Sequence, residues 1–215
     1  MSLFDTFDPN SEELIKVCQQ RSFCGVDNFP EVVIGTFKEE AFRALTEIAE
    51  TETICSLRAG RTIPVYRMNW QERNIGLFHS LMGGAGTVCL MENLIARGAK
   101  AFLFYGNCGV LNQEIAAGHL ILPTAAYRDE GTSYHYLPVS DYVDVPTQPH
   151  LAQIMDNLHL PHVSGKVWTT DAFYRETRRN FQKRKSDGFS SSHENMLISS
   201  PQILRIFSYC FPVSR

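Results

Sequence analysis

One stretch, residues 74–136, constrains the fold of this chain more than any other. An apolar run at 75–78 leads into a glycine-rich turn at 83–86, and a helical pattern follows it. A second apolar run at 101–105 leads into a second glycine turn at 106–109. Strand, glycine turn, helix and strand within about 30 residues are typical of a βαβ unit, whose strands lie in a parallel sheet. The stretch therefore predicts an α/β fold.

The two glycine turns also predict where a ligand binds. Ligands of open parallel sheets lie outside the carboxyl ends of the strands, and both turns follow a predicted strand there. Glycine turns let several backbone N–H groups converge, an arrangement that favours anions and phosphate above all. The first turn reads GGAGT from Gly83, and the second reads GNCG from Gly106. A tight turn without any ligand explains either pattern equally well.

The rest of the chain alternates between strand and helix patterns. Before the central stretch we expect a short helix at 11–20, capped by Asn10 and Glu13, because the pair has the spacing of a capping box. The further expectations are a strand at 31–35, an amphipathic helix at 38–50, a hairpin of 63–69 and 74–79, a helix at 151–158 and a strand at 164–169.

This alternation predicts one α/β domain, a three-layer sandwich in which helices flank a mixed, largely parallel, twisted sheet. The basic stretch at 175–187 is expected to form a solvated helix face, since charge runs usually do.

Composition excludes several classes of protein. The net charge of −3 gives no indication of a nucleic-acid partner or an acidic membrane. Six cysteines without a CxxC pair suit reduced thiols in the cytosol. The first ten residues lack the basic and apolar regions of a signal peptide, and no apolar run approaches the roughly 18 residues of a membrane span. We therefore expect a cytoplasmic protein.

Three specific ligand sites find no match in the sequence. A dinucleotide site requires GxGxxG followed by an acid at the end of the next strand, but Cys89 stands at the third glycine position. No string matches the phosphate loop GxxxxGK[ST]. The seven histidines are dispersed, and the pair His159 and His162 is weak support for zinc.

Three segments together resemble the superfamily of nucleoside phosphorylases and nucleosidases, which includes uridine and purine nucleoside phosphorylases. They are HSLMGGAGT from His79, FLFYGNCGVLNQEIAAGHLILPTAAYRDEGTSYHY from Phe102, and VWTTDAFYRET from Val167. The last segment is similar to the uridine phosphorylase branch. The resemblance runs from about residue 32 to Gly188.

The resemblance implies cleavage of an N-glycosidic bond, giving free base and ribose 1-phosphate when phosphate is the nucleophile. It implies inorganic phosphate as co-substrate, no metal or organic cofactor, a role in nucleoside salvage, and a homo-oligomer between dimer and hexamer. The phosphate-binding positions that it implies are Gly35, Arg58 or Arg61 (an arginine often lent to a neighbouring subunit), and Asn107. The implied nucleoside-binding positions are Cys108, Gly109, Phe173, Thr177 and Arg179.

The chain also departs from the family pattern. Gly35 is followed by TFKE, where the family has D-P-x-R, and Phe104 occupies the place of a second phosphate arginine. Two charge-assisted hydrogen bonds to phosphate are thus missing, each worth roughly 1.5–3 kcal/mol. A nucleosidase that uses water is therefore an alternative.

The third departure concerns the C-terminal tail. Residues 189–215 lack the family's ribose-binding segment, and Glu194 and Met196 are the nearest approach to it. We therefore divide the chain into an α/β domain, 1–188, and a divergent tail, 189–215. The missing segment leaves a catalytically inactive nucleoside-binding protein as a further alternative.

Overall fold

The structure, a computed structural model, describes residues 2–20, 23–111, 115, 119–193 and 204–210, the side chains of 110, 173, 189–193 and 204–210 excepted. The strands of this part are Val32–Thr36 (β1), Thr51–Arg58 (β2), Thr62–Trp70 (β3), Arg73–His79 (β4), Ala101–Val110 (β5), Leu120–Asp129 (β6), Tyr142–Asp144 (β7), His162–Thr170 (β8), Phe189–His193 (β9) and Leu204–Cys210 (β10). The helices are Glu39–Ile48 (α1), Gly84–Ile95 (α2), Gln148–Asn157 (α3) and Arg178–Ser186 (α4).

The described residues pack into two compact units. We call the described residues of 8–104 the first unit, and those of 2–7 and 105–209 the second unit. The strand β5 contributes its residues up to Phe104 to the first unit and those from Tyr105 to the second.

In the first unit β1 lies between β4 and the first residues of β5, and β3 and β2 continue the sheet beyond β4. β1 and β4 are parallel, with Gly35 opposite Phe78, whereas β3 is antiparallel to both β4 and β2. α2 ends before Gly98, which adopts a φ of 116° typical of a glycine C-cap, and the Ala99 N–H donates to the Leu94 carbonyl. The core of this unit is rich in aromatic and branched side chains: Phe29, Val33, Leu57, Ile63, Val65, Phe78, Leu90, Leu94, Ala99, Phe102 and Phe104.

In the second unit the strand order is β10, β6, β8, β9 and the last residues of β5, and β7 pairs with β6. The strands β10, β6, β8 and β9 are parallel to one another. β5 is antiparallel to β9, and β7 is antiparallel to β6. α3 packs on β6 and β8, and α4 packs on β9. Mixed sheets flanked by helices confirm the predicted α/β class.

Two local expectations are wrong. Residues 11–20 contain only a 3-10 turn, Val17–Gln19, because Leu14 and Ile15 are exposed and no apolar face is buried to hold a short helix. The glycine turn expected at 106–109 is instead part of β5, where Gly109 pairs with Ser192. Gly106 and Gly109 therefore lie in an extended strand rather than in a turn.

The other predicted elements agree with the structure to within a few residues, including α1, the hairpin of β3 and β4, α2, α3 and β8, whereas β2, β7, β9 and β10 were not predicted. α4 carries the basic stretch, and its lysines and arginines are exposed except Arg184, which is buried. Among the described residues, no helix has the length and apolar character required to cross a membrane.

Candidate functional site

The carboxyl ends of β1 and β4 form the candidate edge of the first unit. Thr36 and His79 are the last residues of these strands and lie opposite each other. The Ser80 N–H donates to the Thr36 carbonyl at 2.7 Å, so the chain leaves β4 alongside the end of β1. α2 then begins directly after Gly83, whose φ of 85° is the left-handed conformation that glycine tolerates. The first glycine turn therefore lies where the sequence predicted it.

Gly35, the first predicted phosphate position, is buried against aromatic rings. A Cβ at this position would lie 2.6 Å from Phe104 Cδ1 and 3.0 Å from Phe78 Cζ. The Phe37 ring stacks on Phe104 with 5.6 Å between centroids. The absence of a side chain at position 35 thus allows the aromatic rings to pack against the backbone. This packing alone explains why no side chain is tolerated there.

Thr36 was not singled out by the sequence, although it lies at the strand end beside His79. Thr36 is fully buried, and its Oγ1 has no hydrogen-bond partner within the described part of the chain. The His79 ring is half-buried and stacks on Phe42 at 5.8 Å. The sequence signal that could have identified Thr36 is its hydroxyl directly after Gly35, at the end of a predicted buried strand. A buried hydroxyl of this kind can donate to a ligand or a water molecule.

Arg58 and Arg61 lie on the exposed hairpin between β2 and β3. The register places Gly35 level with Phe78, and Phe78 level with Val65, which pairs with Cys55. Arg58 therefore lies three strands across and three residues along from Gly35, about 17 Å away at standard strand spacings. Within one chain the structure does not bring these arginines to Gly35.

In the second unit, the parallel strands β6 and β8 end together at Asp129 and Thr170, which are paired in register. Asn107 lies on β5 two residues from Gly109, in the direction of these carboxyl ends, because β5 runs antiparallel to β9. Asn107 is half-buried. It therefore reaches the predicted edge from within a strand, although the turn expected around it is absent.

Cys108 points the other way from its neighbours Asn107 and Gly109, since side chains alternate along a strand. It is buried in an apolar cluster with Ile121 and Val167. The structure thus separates the three predicted residues of β5 into one core residue and two on the opposite face.

The segment after β8 contains the remaining predicted positions. Phe173 begins a 3-10 turn that ends at Arg175, and its side chain lies outside the described part of the structure. Thr177 is the N-cap of α4, where its hydroxyl accepts a hydrogen bond of 3.3 Å from the Asn180 N–H. Arg179 is exposed in the first turn of α4. Thr177 therefore has a structural role that the sequence did not predict, while Arg179 is available to a ligand.

Carboxylates surround the same segment. Asp129 Oδ2 accepts a hydrogen bond of 2.9 Å from Trp168 Nε1, and Asp171 Oδ2 accepts one of 3.0 Å from the Gly131 N–H. Glu176 is half-buried, and burial, followed by the negative charge of Asp129, raises the pKa of its carboxyl above the ordinary value. Asp129 ends an apolar run and could have been noticed in the sequence, but nothing in the sequence distinguished Glu176.

Arg128 fixes the loop that follows β6. Its Nε donates to Ser133 Oγ at 2.8 Å, its Nη1 donates to the Pro138 carbonyl at 2.7 Å, and its guanidinium lies 4.0 Å above the Tyr134 ring. Phe4 packs edge-on against the same ring at 5.1 Å. These contacts occupy the buried arginine within the loop, so its role is structural.

Within the part of the chain that the structure describes, no group of three or more His, Cys, Asp or Glu side chains could hold a metal ion.

Comparison with known proteins identifies a family. The family model described as "Phosphorylase superfamily" matches residues 31–194. The uridine phosphorylase of Treponema pallidum is 32% identical over 108 residues, which are 48% of this chain and 41% of that protein. The guanosine phosphorylase of Halorubrum lacusprofundi is 33% identical over 100 residues, 45% of this chain and 41% of that protein. The matches thus span about two fifths of the length of these relatives.

Solved structures show the same fold. A uridine phosphorylase from Vibrio fischeri superposes with a TM-score of 0.71 at 18% identity, covering 91% of this chain and 85% of that chain. A purine nucleoside phosphorylase from Toxoplasma gondii, solved with immucillin-H, superposes with a TM-score of 0.67 at 19% identity, covering 82% and 75%.

Proposed function

The chain belongs to the phosphorylase superfamily, and on this basis we propose that it cleaves the N-glycosidic bond of a nucleoside with inorganic phosphate. The products are the free base and ribose 1-phosphate. The observation that carries the proposal is the family match over residues 31–194, which includes both candidate edges and every predicted site residue. The relatives at 32–33% identity are named uridine and guanosine phosphorylases, and this difference leaves the base open.

The reaction needs an anion held beneath the sugar and a partner for the departing base. In our proposal Gly35 in the first unit and Asn107 in the second each have a phosphate-binding role, and Gly109, Phe173, Thr177 and Arg179 have nucleoside-binding roles. Cys108 supports this group from the core, since its side chain packs with Ile121 and Val167. In this proposal the side chains and backbone of the protein bind and orient the substrates without a metal or organic cofactor, and inorganic phosphate is the co-substrate.

The arginines of the β2–β3 hairpin suggest how the phosphate site is completed. Arg58 and Arg61 are exposed, and Arg58 lies about 17 Å across the sheet from Gly35 in the same chain. We propose that they serve the phosphate site of a second copy of the chain, within a homo-oligomer between dimer and hexamer. We further propose a cytoplasmic enzyme of nucleoside salvage whose catalytic domain is 1–188 and whose tail is 189–215.

A nucleosidase is the second candidate, and one observation favours it. The Phe104 ring covers Gly35, and Phe37 stacks on that ring. An apolar surface therefore lies where the family has a cationic side chain that binds phosphate. Glu39, at the place of the family's loop arginine, is instead ion-paired with Arg43. Water requires no cation at this position, whereas phosphate does.

Base release distinguishes these functions. The full chain is incubated with uridine, inosine, guanosine, adenosine or methylthioadenosine, each with and without phosphate, and free base is measured by chromatography. Release that requires phosphate, with ribose 1-phosphate as co-product, supports the phosphorylase. Equal release without phosphate contradicts it and establishes a nucleosidase. Absence of release from all five substrates contradicts both and leaves the nucleoside-binding alternative, which a ligand-induced rise in Tm without turnover would support.

A further inference from the structure

The segment 23–28 lies against the first unit, and two arginines hold it there. Arg67 of β3 donates through Nη2 to the carbonyls of residues 27 and 28, at 3.2 Å and 3.3 Å. At the other end of the segment, the Arg97 guanidinium lies 4.6 Å from the centroid of the Phe23 ring. Both ends of the segment are therefore anchored by arginine side chains.

The same two arginines flank Cys55 of β2. Cys55 pairs with Val65 of β3, and Arg67 lies two residues further along β3, so all three side chains leave the same face of the sheet. Cys55 packs against the apolar core beneath this face, and the Arg97 side chain donates a hydrogen bond to its sulfur. Cys55 therefore lies between the two anchors of the segment.

Cys24 belongs to the anchored segment, and its exposed thiol donates to the Gly25 carbonyl at 3.4 Å. Three residues of chain reach at most about 10 Å, so the hold of Arg67 on residue 27 keeps Cys24 near Cys55. The two thiols also interact electrically. Burial raises the pKa of the Cys55 thiol, the Arg97 charge opposes this effect, and the charge of Cys24 raises that pKa further. The fold thus brings together two cysteines that are distant in the sequence.

The environment of Arg97 is a second observation at the same place. Only 8% of its surface is exposed, and its Nη1 donates to the Asn93 carbonyl at 2.7 Å. Its Nε has no hydrogen-bond partner among the residues that the structure describes. A buried donor without a partner is costly, and an anion beside the guanidinium would relieve that cost. A thiolate at Cys55 is an anion that the chain itself can supply there.

We propose that Cys24 and Cys55 form a redox-active pair, which hydrogen peroxide converts into a disulfide that ties the segment 23–28 to β2. The exposed Cys24 sulfur attacks the peroxide, so that an S–O bond forms, the O–O bond breaks and one water leaves with the thiol proton. The Cys55 sulfur then attacks the Cys24 sulfur, and the S–S bond forms as the S–O bond breaks.

The departing hydroxide takes the Cys55 proton and leaves as a second water, and Arg97 stabilises the negative charge on Cys55 as that proton departs. Two thiols and one peroxide thus give one disulfide and two waters. A thiol reductant reverses the bond, as is usual for a redox-sensing disulfide inside a cell.

The test treats the full chain with a small molar excess of hydrogen peroxide, blocks the remaining thiols and maps disulfides by mass spectrometry without reduction. Trypsin places the two cysteines on separate peptides, 22–38 and 44–58, and Cys18 on a third, 17–21. We expect the first two peptides to be linked, in the monomer band of a non-reducing gel, and to separate with dithiothreitol. The oxidised chain should unfold at a Tm about 5 °C or more above that of the reduced chain.

Cys24→Ser and Cys55→Ser should each abolish the linked peptides and the rise in Tm. Cys18→Ser changes another exposed cysteine and should keep both. The inference is overturned if both thiols survive, if Cys24 stops at a sulfinic or sulfonic acid, or if either cysteine links to a different cysteine or to a second chain. A rise in Tm that persists in Cys24→Ser also overturns it. Thermal unfolding of the reduced variants verifies that they fold, and the peptide map of the wild type decides where one does not.

Discussion

The Phe104 ring lies against the α-carbon of Gly35, so that a Cβ added at position 35 would come within 2.6 Å of Phe104 Cδ1. The two residues lie in the first unit, one at the carboxyl end of β1 and the other on β5. A glycine that the family resemblance assigns to phosphate is thus also a packing requirement of the aromatic core. Binding and stability at position 35 cannot be altered separately by a larger side chain.

Gly35→Ala should destabilise the fold by about 1–3 kcal/mol, because the new methyl overpacks a close-packed aromatic cluster. Gly25→Ala is the control, since a Cβ there meets nothing within 4 Å. Urea denaturation gives the free energy of unfolding of both variants. Adding Phe104→Leu to Gly35→Ala should recover part of the loss, because the smaller side chain leaves room for the methyl. Equal stabilities for Gly35→Ala and Gly25→Ala would show that the ring moves aside freely.

Arg184 stabilises the second unit through its planar guanidinium, which lies 3.2 Å from the centroid of the Tyr127 ring and 6.0 Å from that of Trp168. Arg184→Lys should cost about 1–2 kcal/mol, because an ammonium group cannot stack on the rings in the same way. Arg178→Lys makes the same change at an exposed position of α4 and should alter stability by less than about 0.5 kcal/mol. Chemical denaturation measures both. Equal effects would place the stabilisation elsewhere than in the stacked guanidinium.

Glu176→Gln should stabilise the chain increasingly as pH rises. The folded-state pKa of Glu176 is raised, chiefly by burial, so the proton binds more tightly in the folded than in the unfolded state. The stability that this group contributes is therefore present below its unfolded pKa and is lost as pH rises through the higher folded pKa. Glutamine does not ionise and keeps its contribution. Unfolding free energies between pH 4 and pH 8 measure the difference, and Glu47→Gln, the same chemical change at an exposed position of α1, should show no such trend.

Arg58→Ala and Arg61→Ala test the proposed phosphate role without disturbing the fold. Both side chains are exposed, so the free energy of unfolding should change by less than about 0.5 kcal/mol. At least one variant should raise the KM for phosphate by about tenfold or more, because a charge-assisted hydrogen bond is lost. Arg73→Ala is the control, because Arg73 is an exposed arginine at the turn between β3 and β4, the opposite end of β3 from Arg58 and Arg61. An unchanged phosphate KM in both variants would remove the hairpin from the site.

The fold was predictable because its signals are local. The glycines at 83–86, the capping glycine at 98 and the period of the apolar residues in α1 specify strand ends, helix starts and helix ends within a few residues. The helix expected at 11–20 failed because the cap signal was present but no buried face followed it. A short helix needs tertiary packing, and its caps alone do not hold it.

The candidate site was less predictable because its residues are far apart in the sequence. The sequence and its family resemblance named Gly35, Asn107 and the segment 173–179, but they could not show that Phe104 covers Gly35. Nor could they show that Cys108 faces the core, because the turn expected around it proved to be strand β5. Glu176 carried no sequence signal at all, since its environment consists of Asp129 and of burial by other elements.

The sequence by itself determined the α/β class, most element boundaries and the family, since these depend on periodicity, glycine conformation and ordered short motifs. Only the tertiary structure decided which side chains share an environment: the Phe104 ring against Gly35, the guanidinium of Arg184 on Tyr127, and the desolvated carboxyl of Glu176. The physical reason is that backbone preferences act between neighbours along the chain. Burial, desolvation and stacking instead depend on strand order and register, which bring distant segments together.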